Sequence, residues 1–499
     1  MVTPANEIEL KFLLDADQVE GVLPLLAGGE RDDLAAVYFD TPDRRLARTG
    51  FGLRVRRSAK GRTQTLKAAA TVEGGRSEWE WPVATDAPDP ALLASTPAVL
   101  VEGETLEPVF AVRVERLTRR IDHRGSDIEL ALDRGDIIVG DRAAPVLELE
   151  LELKAGAPSA LFDLARGLME TTPLRLSAVS KAERGYRLAS DEALTRPRHT
   201  VPALSSDDTA GQAFQAVAGA VLAHLAAGAE SLRATPGPEG VHQVRVAVRR
   251  LRAHMAIFRP VIEGAEMVDI RTRLKWLAGE LDEARNLDVF IADVWRPAAA
   301  AHHDLAGLAA FGQDLLSAQT RAYERVAMAI DSPSFRRLIL DATAWVQLGD
   351  WTGPAGDASR RDAPARDVVA DRLSRRRRRI LKAGRHLARL DRPARHRMRI
   401  EAKILRYAVE DLGGLFENHP RRRDRLTAAL KQLQDSLGAL NDLVFSEALA
   451  RDLAIGDGEA DAALAAGWLI GERSTREAAL LDIAQADLKA FAKIRRFWK

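Results

Sequence analysis

Along the first 155 or so residues, apolar and charged positions alternate with a period of two, the spacing at which a strand gives one residue type to each face. In Glu7-Ile8-Glu9-Leu10-Lys11, two acids and a base share one side, with Ile8 and Leu10 on the other. Glu148-Leu-Glu-Leu-Glu-Leu-Lys154 repeats the pattern with three acids in register, and Arg54-Val-Arg56 and Glu78-Trp-Glu80-Trp81 repeat it with mixed sign. The opposite faces (Ile8, Leu10; Leu53, Val55; Trp79, Trp81; Leu149, Leu151) are apolar enough to be the covered ones. The sheet is therefore either open with one wet face or closed around a charged interior. Thr41-Pro42-Asp43, Gly74-Gly75, Gly125-Ser126 and Gly140-Asp141 mark its turns. Residues 159–170 read as an amphipathic helix, and a stretch rich in Pro, Ser and Thr from Leu188 to Ser206 places a linker at 196–206.

From Ala210 the period changes to that of helices, which predicts an all-α bundle over 207–499 after a β-rich domain over 1–195. Within the helical half, HQVRVAVRRLR at His242–Arg252 aligns without a gap with HRMRIEAKILR at His396–Arg406, an offset of 154 residues. A second pair, starting at Leu274 and Leu430, follows at an offset of 156. A duplication giving tandem bundles over about 207–350 and 363–495 is the economical reading, with the loop at Gly349–Asp362 between them. His242, Arg245, Arg249 and Arg252, and likewise His396, Arg399, Lys403 and Arg406, fall at spacings of 3, 4 and 3, one narrow stripe of a helix. Each stripe adjoins an apolar one (Val244, Val248, Leu251; Met398, Ala402, Leu405), the arrangement expected of helices that bury their apolar sides and line a shared groove with bases. Lys275, Arg285 and Lys431 in the second motif pair are further candidates for it. Arg375–Arg379 is another basic run, read as a solvated helix surface in preference to a ligand-facing one.

Charge sharpens this division. The chain's net charge is only +1, but residues 1–195 hold 25 basic against 33 acidic residues and the remainder 48 against 39, so one half suits metals and the other a polyanion. The absence of cysteine excludes disulfides and thiolate ligands, leaving carboxylate and imidazole for any metal. No uninterrupted apolar run reaches about 18 residues and the N-terminus is polar, so neither a membrane span nor a secretory signal is expected and the cytoplasm is the default location. No GxxxxGK[ST] or GxGxxG loop is present. His242 and His396 have only bases as helical neighbours, which favours anion donation over metal ligation, and 5% aromatics that do not interleave with the basic stripes disfavour nucleic acid.

The ordered set EIELK, YFDT (Tyr38–Thr41), LRVR (Leu53–Arg56), ELELELKAG and SKAERGYRL (from Ser180) resembles the CYTH domain of the triphosphate tunnel metalloenzymes. The paired stripes resemble the CHAD domain, a helical domain associated with inorganic polyphosphate. Together they imply an α+β two-domain chain: a closed antiparallel β-barrel tunnel with flanking helices, then the tandem helical bundles. The CYTH resemblance turns Glu7, Glu9, Lys11, Arg54, Arg56, Lys67, Arg76, Glu78, Glu80, Arg113, Asp133, Glu148, Glu150 and Glu152 towards the tunnel. Lys11, Arg54, Arg56, Lys67, Arg76 and Arg113 would bind phosphate. Glu7, Glu9, Glu148, Glu150 and Glu152 are the candidate ligands for Mg²⁺ or Mn²⁺, hard cations that take oxygen donors. Lys181, in the Ser-Lys motif, would bind phosphate and orient the attacking water; Lys11, Glu150 and Glu152 complete the catalytic set. In the CHAD half, Arg285-Asn286 departs from the Arg-Asp pair expected there, leaving that one carboxylate's role open.

The expectation is a metal-dependent inorganic triphosphatase joined to a polyphosphate-binding domain, associated with polyphosphate granules. Thiamine triphosphatase, an ATP cyclase and a non-catalytic polyphosphate scaffold are the alternatives.

Overall fold

The computed structural model describes residues 5–6, 8–68, 77–100, 104–190, 199–302, 305, 307–354, 356–454 and 460–498. They form two compact units: Met1–Arg198 with Ala226–Ser231 and Ser332–Leu348, and His199–Leu225 with Leu232–Asp331 and Gly349–Lys499.

The first unit is built on one antiparallel sheet of strands β1 (Ala5–Asn6), β2 (Ile8–Leu13), β3 (Glu30–Asp40), β4 (Phe51–Ser58), β5 (Gly61–Ala68), β6 (Ser77–Pro82), β7 (Glu107–His123), β8 (Ser126–Val139), β9 (Arg142–Ala155) and β10 (Arg175–Leu176). Their order is β1-β6-β5-β4-β3-β7-β8-β9-β2-β10. This corrects the expected barrel, because among the described residues no ladder joins the two ends and the sheet is open. Its ends are linked through the chain instead: β1 pairs with β6 on one arm, while β2, which follows at once in sequence, pairs with β9 on the other.

The apolar faces are covered as the alternation predicts. Leu10, Phe12, Ile128, Leu130, Leu132, Leu149 and Leu151 pack under helix α1 (Pro158–Thr171) through Leu161, Phe162 and Ala165. Leu53, Val55 and Leu66 pack with Leu46, Leu93 and Ala98. The buried Asp40 of the YFDT stretch accepts from the backbone N–H groups of Thr41, Leu46 and Ala47 at 2.7, 2.9 and 3.0 Å, fixing the turn that carries Leu46 inward. Part of the charged face is covered by helix α2 (Lys181–Ala189), whose Ala182, Tyr186 and Leu188 meet Tyr38, Phe110 and Val112. Gly185 permits that approach, since a Cβ there would lie 2.1 Å from the Phe110 ring. Ser180 caps the helix, accepting from the Glu183 N–H at 3.1 Å, and so fixes Lys181 in its first turn.

The second unit is helical: α3 (Ala210–Ala234), α4 (Pro238–Ile257), α5 (Ala265–Phe290), α6 (Leu308–Asp331), α8 (Ala365–Gly384), α9 (Arg392–Leu412), α10 (Pro420–Ala454), α11 (Ala460–Ser474) and α12 (Glu477–Lys493). Helix α7 (Pro333–Leu348) lies between them in sequence but belongs to the first unit, where Leu340 and Ala344 join the α1 core and Asp341 pairs with Arg166 at 2.8 Å. Among the described residues one helix, α3, is long and apolar enough to cross a membrane by length and composition, and 67% of its apolar window is buried within the structure. The repeated motifs lie on α4 and α9, then on α5 and α10, and both predicted apolar stripes are buried. In the Arg375–Arg379 run Arg375, Arg378 and Arg379 are exposed, while Arg376 donates to the Ala256 carbonyl near the end of α4 and Arg377 to those of Ala492 and Ile494 at the end of α12. Terminal carbonyls lack intrahelical partners and attract cations.

Candidate active site and basic groove

Strand register decides which charges meet on the inner face. Lys11 stands opposite Glu150, Glu148 opposite Asp133, and Asp133 opposite Arg116. Helix α2 lowers Lys181 into this group, its Nζ lying 2.7 Å from Asp133 and from Glu148 and 2.9 Å from Glu150. Arg116 grips Asp133 with two nitrogens at 2.6 and 2.7 Å and reaches Glu150 at 2.7 Å. Lys11 adds a contact of 3.2 Å to Glu150, and Arg184, one turn after Lys181, one of 2.5 Å to Glu148. Asp133 and Glu148 are fully buried. Burial alone would raise the carboxyl pKa of Glu150, but Lys181, Lys11 and Arg116 outweigh it and hold it well below the ordinary range. Asp133 is lowered in the same way, against burial, by Lys181 and Arg116. Burial opposes the charge of Lys181 too, yet Glu150, Asp133 and Glu148 raise its pKa.

A second group sits on the other arm. Lys67 and Arg54 approach Glu78 at 2.7 and 3.9 Å, and Arg56 approaches Glu80 at 3.7 Å. Arg54, Arg56 and Arg116 lie close enough to repel one another; the pKa of Arg56 is lowered first by Arg54 and then by burial. The inner face thus carries bases on both arms, with Arg56 crowded by Arg54, an electrostatic condition for receiving a compact anion.

Whether this face suits a divalent cation can be read from its edge. Glu9 stands opposite Glu152 and Glu152 opposite Glu129, three carboxylates in one row across β2, β9 and β8, with Lys154 bonded to Glu152 and Glu129 at 2.6 and 3.2 Å. Directly opposed like charges destabilise a sheet unless a cation sits among them. The row fits a hard cation in charge and donor type, although among the described residues no three such groups converge at metal-holding spacing.

In the helical unit the two stripes face each other. Arg245 and Arg249 of α4 act on Lys403 of α9, together with Arg399 one turn before it. Arg245 pairs with Asp282, and Arg249 donates to the Tyr407 hydroxyl at 3.4 Å. Tyr407 is buried, with Arg250 and Arg406 each 4.8 Å from its ring centre. His242 adjoins Arg285, Arg249 and Arg245, and its pKa is lowered by burial and by those charges. His396 shares a hydrogen bond of 2.9 Å with Asn441. Behind this wall the buried Asp411 binds Arg250, His254 at 2.8 Å and His199 at 3.1 Å.

Residues 5–186 match the CYTH domain and residues 216–451 the CHAD domain. The chain is a CYTH–CHAD fusion. The CYTH part is 36% identical over 167 residues to an inorganic triphosphatase of Haemophilus influenzae, an alignment covering 32% of this chain and 47% of that protein, so the chain spans about half the length of this curated relative. The crystal structure of a CHAD domain from the plant Ricinus communis is similar with 28% identity and a TM-score of 0.52, over 60% of this chain and 97% of that one. A candidate adenylyl cyclase from Hippeastrum with a dominant triphosphatase activity matches with 18% identity and a TM-score of 0.29, over 36% of this chain and 95% of that one.

On the CYTH face the structure brings together Lys11, Arg54, Arg56, Lys67, Glu148, Glu150 and Lys181 and places Glu9 and Glu152 at its edge; Glu7 and Arg76 lie outside the described residues. Arg113 is not part of it. Arg113 pairs across the sheet with Ala35 and Asp136, is exposed, and points to the other face, whereas Arg116, three residues on, points inward. The sequence reading missed this because Val112 and Val114 look like outer-face residues, when in fact they are inner-face residues covered by α2. Arg184 was also missed, though its spacing of three from Lys181 on a helix was the available signal. In the CHAD groove His242, Arg245, Arg249, Arg285, Arg399 and Lys403 cluster, while Arg252, Lys275 and Lys431 are exposed. Arg406 is turned to Gln434 and Glu410 at 2.8 and 2.7 Å.

Proposed function

We propose that the chain is an inorganic triphosphatase dependent on a divalent cation, with a CHAD unit, read as a tandem duplication, that binds polyphosphate. The observation that carries the catalytic half is the inner face itself, where Lys11, Arg54, Arg56, Lys67, Arg116 and Lys181 surround a set of carboxylates on the part of the chain that resembles a triphosphatase. Triphosphate carries about four negative charges near neutrality, so its hydrolysis requires neutralisation and a placed water. Arg54, Arg56 and Lys67 on one arm and Arg116 on the other grip phosphate oxygens from two sides, arginine being suited to bidentate contact. Glu150, its proton affinity lowered by three bases, positions Lys11 and Lys181 and does not itself take up a proton. Lys181 orients the water and Glu152 accepts its proton. The water oxygen bonds to the terminal phosphorus, the bridging P–O bond breaks, and phosphate and diphosphate leave. Glu9 and Glu129, two carboxylates of the edge row, would hold the cation, which when bound supplies positive charge to phosphate oxygens.

The polyphosphate reading rests on Arg245, Arg249, Arg399 and Lys403 meeting from two helices, together with the family resemblance. Phosphate release from triphosphate, measured with Mg²⁺, with Mn²⁺ and after chelation, tests the catalytic half. Turnover that needs the metal supports it; a chain equally inert, or equally active, in all three conditions contradicts it.

A further inference from the structure

Lys403 follows Arg399 by one helical turn and faces Arg245 and Arg249 across the CHAD groove, so an amine and three guanidiniums share one half-buried wall. Like charges four apart on a helix destabilise each other, and partial burial disfavours every charged form. Lys403 has no ion-pair partner among the described residues; Asp442 of α10 is the acid acting on it. Helix α8 offers no relief, because its Arg376 and Arg379 are engaged with Glu401, and on α9 itself His396 meets Asn441. Across the groove, Arg285 adjoins the α4 arginines and adds to the positive field, His242 beside them is kept neutral by burial and those charges, and Asp282 pairs with Arg245. Guanidinium does not lose its proton in proteins, so crowding of this kind falls on the lysine. Burial, followed by Arg399, Arg249 and Arg245, lowers its pKa from 10.5 to about 6, with Asp442 opposing only in part.

We infer that the groove takes up a proton on the Lys403 amine when it binds a phosphate polyanion, an inference that rests on the polyphosphate-binding reading. The proton comes from solvent and the amine becomes an ammonium; phosphate oxygens lying among the three guanidiniums supply the negative charge that sustains it. Affinity therefore rises as pH falls towards neutrality. His242 is a second group able to gain a proton, but its pKa is already lowered from 6.5, so above neutrality Lys403 dominates.

The test is calorimetric titration of the full chain with long-chain polyphosphate, in the presence of chelator, in two buffers of different ionisation enthalpy. The buffer dependence of the heat gives the proton count. The expected result is uptake of about one proton per chain near pH 7, with affinity weakening by up to about tenfold per pH unit above it. Lys403→Arg, whose charge is fixed, should lose the uptake and flatten the pH dependence of whatever affinity it retains. Binding by the intact chain without proton uptake, or undiminished uptake in Lys403→Arg, overturns the inference and leaves polyphosphate binding standing. No binding at all overturns both.

Discussion

Glu150 receives Lys11, Arg116 and Lys181 on one carboxylate, so it separates placement of charge from ligation of metal. Removing one member of a buried ion network costs about 3–5 kcal/mol, because its partners remain buried with their charge uncompensated. Glu150→Gln should therefore lower both stability, by a few kcal/mol on this scale, and triphosphate turnover. Glu9→Gln, at an exposed position of the carboxylate row, should lower turnover with little change in stability. Urea unfolding beside phosphate release distinguishes them; equal stability losses would refute the separation. The same network sets the pH limits of the fold. Asp133 and Glu150 titrate below their ordinary 3.8 and 4.5, so their contribution is complete above those values and lost as pH falls through the depressed folded ones. Lys181 titrates above 10.5, so its contribution is present below that pH and lost as pH rises through its folded value. The contribution of these three groups to the unfolding free energy should be nearly flat between these limits and fall at both ends, with a shallower acid limb in Glu150→Gln.

Elements were legible where one period governed them. The alternation in Glu148–Lys154 gave β9 its charged and apolar faces, and the 3-4-3 spacing placed both basic stripes on helices whose apolar sides are buried. It failed where a second element changed the meaning of a face: α2 lays its apolar side on β7, so the valines flanking Arg113 mark the inner face and put that arginine outside. Barrel closure was not legible either, since it depends on which ladders form between distant strands and no local pattern records that. The placement of α7 could not be read from sequence at all; its helical period is the same whichever unit it joins. Leu340, fully buried in the core with Phe162, gives the check. Truncating a buried leucine to alanine costs about 2–5 kcal/mol. Leu340→Ala should reduce hydrogen-exchange protection in β2, β9 and α1, although position 340 falls within the CHAD match. Loss of protection confined to the CHAD helices would contradict the assignment.

Across the whole molecule, acidic excess over 1–195 and basic excess over the rest set two different electrostatic tasks. An acidic domain that receives an anion must concentrate its bases and recruit cations, and its inner face does the first. That face also bears on substrate choice. Tyr38 is buried, stacked on Phe110 with ring centres 4.5 Å apart, and Trp79 and Trp81 pack with the outer core, so these three aromatics present no shelf for a base or a thiazole among the basic residues of the inner face. The chain should therefore read bare phosphate. The most direct measurement is kcat/KM for triphosphate, ATP and thiamine triphosphate under one metal condition, with cyclic AMP followed alongside phosphate. The account predicts that triphosphate exceeds both others by roughly tenfold or more, because the organic groups find no partners there. Equal or higher kcat/KM for ATP or thiamine triphosphate, or cyclic AMP as the main product from ATP, would contradict it.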